Sequence, residues 1–74
     1  MDIYTIFKFS DLIRAKIDSS YNEIRTLINQ LNDDDYTVML NDANSLLSQA
    51  RQKMYDFDIY VENKNIPELK LKQI

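Results

Sequence analysis

Apolar or small residues recur at every third or fourth position on both sides of residue 32, a spacing typical of α-helices. The first series is Ile6, Ser10, Ile13, Ile17, Ser20, Ile24, Leu27 and Leu31, and the second is Tyr36, Leu40, Ala43, Leu47, Ala50, Met54, Phe57 and Val61. Each series forms one heptad-like stripe along one helix. The pattern predicts an all-α, antiparallel two-helix hairpin, with helix 1 over residues 3–31, a turn at 32–35 and helix 2 over 36–62.

The two stripes also predict how the helices face each other. When the chain folds back at residues 33–34, each position of the first stripe meets one position of the second, and the two residue numbers always sum to 67. Several of these pairs place a large side chain opposite a small one, as in Ile17 opposite Ala50. Such alternation allows two helices to approach closely without voids. The two stripes are therefore predicted to form the interface of the hairpin.

Three consecutive aspartates, Asp33 to Asp35, lie at the point where the chain must turn. Asp and Asn side chains cap the free amides at a helix start, and carboxylates in a first turn are favoured by the helix dipole. Asn32 can take the left-handed conformation that often ends a helix. We therefore interpret these residues as a turn. For helix 1, Asp2 and Ser10 are both credible caps.

A calcium loop is the functional alternative for the aspartates. Asp33, Asp35 and Thr37 have the spacing of its first three ligands. However, Val38 stands where that loop needs glycine, and Asn44 stands where it needs an acidic residue. The sequence favours the turn, and we expect neither a metal nor another cofactor.

After Val61 the pattern becomes polar and contains Pro67, the one proline of the chain. We divide the sequence into a helical hairpin over 1–62 and a C-terminal tail over 63–74. The tail is predicted to be flexible in the isolated chain. A strand added to the sheet of a partner and a short helix are the alternatives.

Two helices that each bury one stripe leave further apolar residues beside it. These flanking residues are Phe7, Phe9, Tyr21, Ile28, Met39, Leu46 and Tyr60. They are predicted to form two partner-binding flanks on opposite sides of the hairpin. A different protein could cover them, as amphipathic helices do in grooves, or a second copy could complete a four-helix dimer.

Composition excludes several functional classes. The 74 residues include no Cys, His or Gly, which removes disulfides, His- or Cys-based catalysis and glycine-rich phosphate loops. Nine basic residues are mixed among twelve acidic ones, so no basic patch for nucleic acid is expected. No apolar run is long enough to insert into a membrane. A slender hairpin offers no pocket that could shift carboxylate pKa values, so we predict that the chain is not an enzyme.

Residues 33–55 contain an acidic turn followed by Tyr36, Val38, the Ser45-Leu46 pair, Ser48 and Tyr55. In these residues the chain resembles the small E-type co-chaperones of bacterial type III secretion needle subunits. The resemblance implies a short two-helix hairpin in the cytoplasm. It also implies a heterodimer with a larger helical-repeat chaperone, and a joint role in keeping an aggregation-prone needle subunit monomeric before export, hence a role in virulence.

The sequence thus predicts a non-catalytic protein-interaction module, a small chaperone or co-chaperone that stabilises a larger helical partner. Two alternatives stay open. The chain could be a self-assembling structural subunit or homodimeric four-helix bundle, or it could be a phage- or plasmid-borne inhibitor of a host protein.

Overall fold

The computed structural model describes the backbone of residues 1–73 and the side chains of residues 1–71. It contains three helices, α1 (Ile3–Gln30), α2 (Asp34–Lys64) and α3 (Ile66–Gln73), and no strand within the described residues. Helices α1 and α2 pack against each other in an antiparallel hairpin with principal dimensions of 56 × 18 × 15 Å. The predicted helical hairpin is confirmed.

Aspartate side chains begin both long helices. A carboxylate oxygen of Asp2 accepts the backbone N–H of Thr5 at 2.9 Å, so α1 starts at Ile3 and not near Ser10. This hydrogen bond lowers the pKa of Asp2. Asp33 caps α2 by accepting the N–H of Tyr36 at 3.0 Å. The interpretation of the acidic run as a turn and helix start is confirmed.

The way in which α1 ends differs from the prediction for Asn32. Leu31 is extended, with φ −92° and ψ 143°, and its N–H is shared between the carbonyls of Leu27 and Ile28 at 3.2 Å each. Among the described residues none has a positive φ, so Asn32 does not take the left-handed conformation. An extended residue lets the chain leave the helix directly, because the next helix starts only three residues later.

The contact line between the helices is rotated slightly from the predicted one. The less exposed positions are Ile3, Thr5, Ile6, Phe7, Ser10, Arg14, Ile17, Asp18, Ile24 and Ile28 on α1, Leu31 at its C-cap, and Thr37, Leu40, Ala43, Asn44, Leu47, Arg51, Met54, Asp58 and Val61 on α2. Five of the eight positions of each predicted stripe are therefore kept. The other three are wrong, because Ile13, Ser20 and Leu27 of α1 and Tyr36, Ala50 and Phe57 of α2 are exposed.

The offset along the helices is close to the predicted one. Interhelical hydrogen bonds link Ser10 with Asp58, Asp18 with Arg51, and Tyr21 with Asn44, and the residue numbers in these pairs sum to between 65 and 69. The helices thus pair at nearly the expected level and are rotated slightly relative to the prediction. The polar groups described below span the two helices along the new line.

The C-terminal segment is helical where a flexible tail was the first expectation. α2 continues to Lys64, Asn65 forms a turn, and α3 follows. The N–H of Asn65 donates to the carbonyls of Val61 and Glu62, and Pro67 lies in the first turn of α3, where its missing N–H costs nothing. The short helix considered as an alternative is the observed structure. The last residue of the predicted tail, Ile74, lies outside the described residues.

Candidate protein-binding face

Ser10, Arg14 and Asp58 form a polar cluster that joins the two long helices. The Ser10 hydroxyl donates to one oxygen of Asp58 at 2.5 Å, and the Arg14 guanidinium contacts the other oxygen at 2.8 Å. The Arg14 and Asp58 side chains are only 19% and 18% exposed, and Ser10 is buried. Arg14 also pairs with Asp11 on its own helix. The cluster is satisfied and largely withdrawn from water, so it holds the helices together at this level.

A second interhelical ion pair lies nearer the turn of the hairpin, one helical turn further along α1 and two along α2. Arg51 Nε donates to Asp18 at 2.7 Å, and this bond raises the pKa of Arg51. The ring of Tyr55 lies between the two guanidinium groups, with its centroid 4.7 Å from Arg14 Cζ and 5.0 Å from Arg51 Cζ. We call this side of the hairpin, defined by Arg14, Asp18, Arg51 and Tyr55, the polar side.

Asn44 interrupts the contact line nearer the turn. Its side-chain N–H donates to the Tyr21 carbonyl at 3.4 Å, a long hydrogen bond. Its Oδ1 atom is buried and accepts no hydrogen bond from any residue that the structure describes. A buried carbonyl without a donor is destabilising. The middle of the hairpin is therefore less well satisfied than the Ser10–Asp58 cluster.

The opposite side of the hairpin carries an apolar groove. It has a volume of about 420 Å³ and is lined by Met1, Ile6, Phe9, Ser10, Ile13, Met54 and Phe57. Phe9, Ile13 and Phe57 remain 53%, 45% and 42% exposed although they lie side by side. Contiguous exposed apolar surface of this kind is typical of protein-binding sites.

The same side continues as an apolar surface toward the turn. Along α1, seven-residue steps lead from Ile13 to the small residue Ser20 and then to Leu27. Along α2, they lead from Phe57 to the small residue Ala50 and on to Tyr36. The exposed turn-end residues on this side are Leu27, Tyr36 and Met39. We call the whole surface the apolar side. Along the row from Ile13 and Phe57, it has large residues at both ends and the small residues Ser20 and Ala50 in the middle.

The predicted partner-binding residues, assigned to two flanks of the hairpin, lie in several places. Phe9 lines the groove and Met39 lies at the turn end of the apolar side. Leu46 follows Met39 at seven-residue spacing and is exposed beside the apolar side. Tyr60 is exposed further along α2, where its ring is 5.0 Å from the Lys64 ammonium and a side-chain hydrogen bond to Tyr60 raises the pKa of Lys64.

The other three predicted residues lie elsewhere. Phe7 and Ile28 are half-buried along the contact line, and Tyr21 lines two small clefts near Arg51 and Arg25. Only part of the predicted set therefore shares a face.

Ile6, Ile13 and Phe57 belong to the groove but were assigned to the hairpin interface by sequence. Their heptad spacing identified them as an apolar stripe. The spacing alone does not say which of two adjacent stripes faces the other helix. The signal that could have separated them is the set of opposite charges one position away, Arg14 and Asp58, which pair across the hairpin.

The polar side chains of the molecule cap helices and pair with each other. Among the described residues no group of three or more Asp or Glu side chains converges closely enough to hold a metal ion. Asp33, the first residue of the acidic run, uses its carboxylate to cap α2. The polar side binds its own charges to each other, whereas the apolar side offers surface that another molecule can cover.

Comparison of the chain with models of protein families, with curated proteins and with solved structures finds no match. Within the described residues, no helix combines the length and the hydropathy required to cross a bilayer. The candidate face is characterised by the contacts, exposure and charges of its own residues.

Proposed function

We propose that this chain is a non-catalytic protein-interaction module, a small chaperone or co-chaperone whose apolar side binds and stabilises a larger helical partner. The observation that carries the proposal is the apolar side itself, which the hairpin leaves open. Among the described residues, Ile3 and Val61 are the only buried apolar side chains. An apolar groove between two antiparallel helices is suited to receive an amphipathic helix.

The total surface supports the proposal. A folded protein of 8.8 kDa typically exposes roughly 4,800 Å², whereas this chain exposes 5911 Å². The excess of about 1,100 Å² is similar to the roughly 800 Å² that each partner buries in a standard protein interface. A chain of this kind gains stability from binding, because binding free energy adds to folding free energy.

The resemblance of residues 33–55 to the E-type co-chaperones gives the proposal its specific form. In that form the chain works in the cytoplasm, pairs with a helical-repeat chaperone and contributes to handling a secretion needle subunit, and so to virulence. Three large apolar residues of the resemblance, Tyr36, Val38 and Leu46, are exposed on the turn half of α2, and Tyr55 is exposed nearer the open end. The turn half would contribute to the heterodimer interface.

A capture experiment with matched variants tests the proposal. The full chain, Ile13→Glu and Ile59→Glu are each immobilised and exposed to extract of the native host. Ile13 lies in the groove, whereas Ile59 is equally apolar and 57% exposed but lies outside it. We expect one protein to be retained by the unaltered chain and by Ile59→Glu and lost with Ile13→Glu. That protein, once purified, should form a complex of fixed stoichiometry.

Two results would contradict the proposal. No retained protein would show that the host offers no partner. A protein retained equally by all three chains would show that binding does not use the apolar side. If the retained protein has no helical repeats, the interaction module stands but the co-chaperone form fails.

A further inference from the structure

We infer that the apolar side is covered by a second copy of this chain, lying end-for-end against the first, whenever no other partner occupies it. The inference rests on the proposed function, because the same surface serves both. Three independent features of the apolar side and of the charge distribution favour a second copy over an unrelated helix.

The first feature is charge. The half of the molecule nearest the turn, residues 18–49, contains six acidic residues and one basic residue, which gives a net charge of −5. The open half, residues 1–17 and 50–74, contains six acidic and eight basic residues, which gives +2. Because the halves lie at opposite ends of a 56 Å rod, an end-for-end pair places each negative half against a positive one. A parallel pair would place the two −5 halves together.

The second feature is shape. The groove lies at the open end, between Ile6, Phe9 and Phe57. At the turn end of the apolar side, the large side chains of Tyr36 and Met39 are more than half exposed. Turning one copy end-for-end places these side chains of each copy over the groove of the other. The contacts are then made twice, as an isologous two-fold interface requires.

The third feature is the small middle of the apolar side. Ala50 lies near the midpoint of α2, and Ser20 lies near the midpoint of α1. In the end-for-end arrangement the two-fold axis passes through this region, so Ala50 of one copy faces Ala50 of the other. Small residues at the axis allow the α2 helices to approach closely. If each copy buries its excess of about 1,100 Å², the interface totals about 2,200 Å², within the range of permanent dimers.

The mass of the full chain in solution tests whether the second copy is present. Sedimentation equilibrium over a concentration series should give a dimer of twice 8.8 kDa. Ile13→Glu should raise the dissociation constant by roughly a hundredfold or more, because each dimer would bury two unpaired carboxylates. Ile59→Glu should leave the constant within about threefold of the original. Far-UV circular dichroism checks that both variants remain helical, and Met39→Glu at the turn end replaces Ile13→Glu if that variant unfolds.

Single cysteines test the orientation, since the chain contains none of its own. Ala50→Cys should form a disulfide-linked dimer on oxidation, because the two copies of this position meet at the axis. Asn32→Cys, in the turn, should not, because the turns lie at opposite ends of the pair. A disulfide through Asn32→Cys without one through Ala50→Cys would overturn the end-for-end arrangement.

The outcomes separate this inference from the proposed function. A chain that is monomeric at every concentration, but whose Ile13→Glu variant loses a host partner, overturns the second copy and leaves the interaction module intact. A dimer that Ile13→Glu and Ile59→Glu weaken equally overturns the assignment of the face. An end-for-end dimer from a chain that captures no host protein supports the inference, and the proposed co-chaperone function fails.

Discussion

On the polar side of the hairpin, Arg14 and Asp58 meet at 2.8 Å and are about four-fifths buried, whereas on the apolar side Ile13 and Phe57 keep more than two-fifths of their surface in water. The two sides are separated by one residue on each helix. The hairpin thus places a charged pair in a contact line that is otherwise mostly apolar, and it leaves Ile13 and Phe57 open where the usual distribution between core and surface would bury them.

The comparison shows why an apolar stripe need not be an intramolecular interface. Two helices alone bury little, and a satisfied ion pair with a buried serine can fix their relative level. Burying such a pair carries a desolvation cost, so its value lies in the geometry that it specifies. We expect the polar cluster to determine how the helices are rotated, and this rotation makes the apolar stripe available for binding.

Removal of the Asp58 side chain should lower the free energy of unfolding more than the other substitutions below. Asp58→Ala leaves Arg14 with its largely buried charge facing an apolar residue and leaves the Ser10 hydroxyl without its acceptor. We expect a loss of about 3 kcal/mol in the free energy of unfolding. Asp11→Ala is the matched control, because Asp11 also pairs with Arg14 but is 69% exposed, and it should cost less than about 0.5 kcal/mol.

Urea unfolding at a concentration below that of self-association measures both variants. If Asp58→Ala costs no more than Asp11→Ala, the polar cluster does not hold the hairpin together. The rotation of the contact line would then need another cause.

Phe57 gives the corresponding test on the apolar side, one residue away. In dilute solution Phe57→Ala should cost about 1.5 kcal/mol, less than a fully buried phenylalanine, because its ring borders an open groove. Fluorescence or circular dichroism during urea unfolding gives the value. A larger loss than for Asp58→Ala would mean that the apolar side, and not the polar side, stabilises the hairpin.

The positions of the helices and of the turn could be predicted from sequence because they depend on local signals. Seven-residue spacing, the absence of glycine and the aspartates at residues 33–35 are enough to place α1, the turn and α2. The offset between the helices followed as well, since a tight turn leaves few choices.

The rotation of the helices could not be predicted in the same way. Ile13 and Arg14 are about 100° apart around the helix and lie on either side of the line through Ser10 and Ile17, so a modest rotation brings either of them toward the other helix. The choice depends on whether Arg14 finds Asp58 at the correct distance across the hairpin, a tertiary contact that periodicity does not contain. The helix α3 was only an alternative in the sequence analysis, because its eight residues carry a weak pattern.

Asn44 allows the contact line itself to be made more apolar. Asn44→Leu removes a buried carbonyl oxygen that has no donor among the described residues and places an apolar side chain between Leu40 and Leu47. We expect a gain of about 1 kcal/mol in the free energy of unfolding. Asn41→Leu, an exposed position one turn away, is the control and should give no gain. Thermal unfolding of both variants measures the change in stability. A destabilised Asn44→Leu variant would show that the hydrogen bond between Asn44 and Tyr21 is needed.

The ion pair between Arg51 and Asp18 should give the smallest effect, because its two side chains are 43% and 48% exposed. Water and dissolved ions screen such a pair far more than the Arg14–Asp58 pair. Arg51→Gln should therefore lower the urea midpoint only slightly in dilute buffer, and the difference should vanish at about 0.5 M salt. The loss caused by Asp58→Ala should persist at that salt concentration, since burial protects that pair from screening. Equal sensitivity of both variants to salt would mean that the polar side is uniformly solvated, and the contrast with the apolar side would then have to be explained by packing alone.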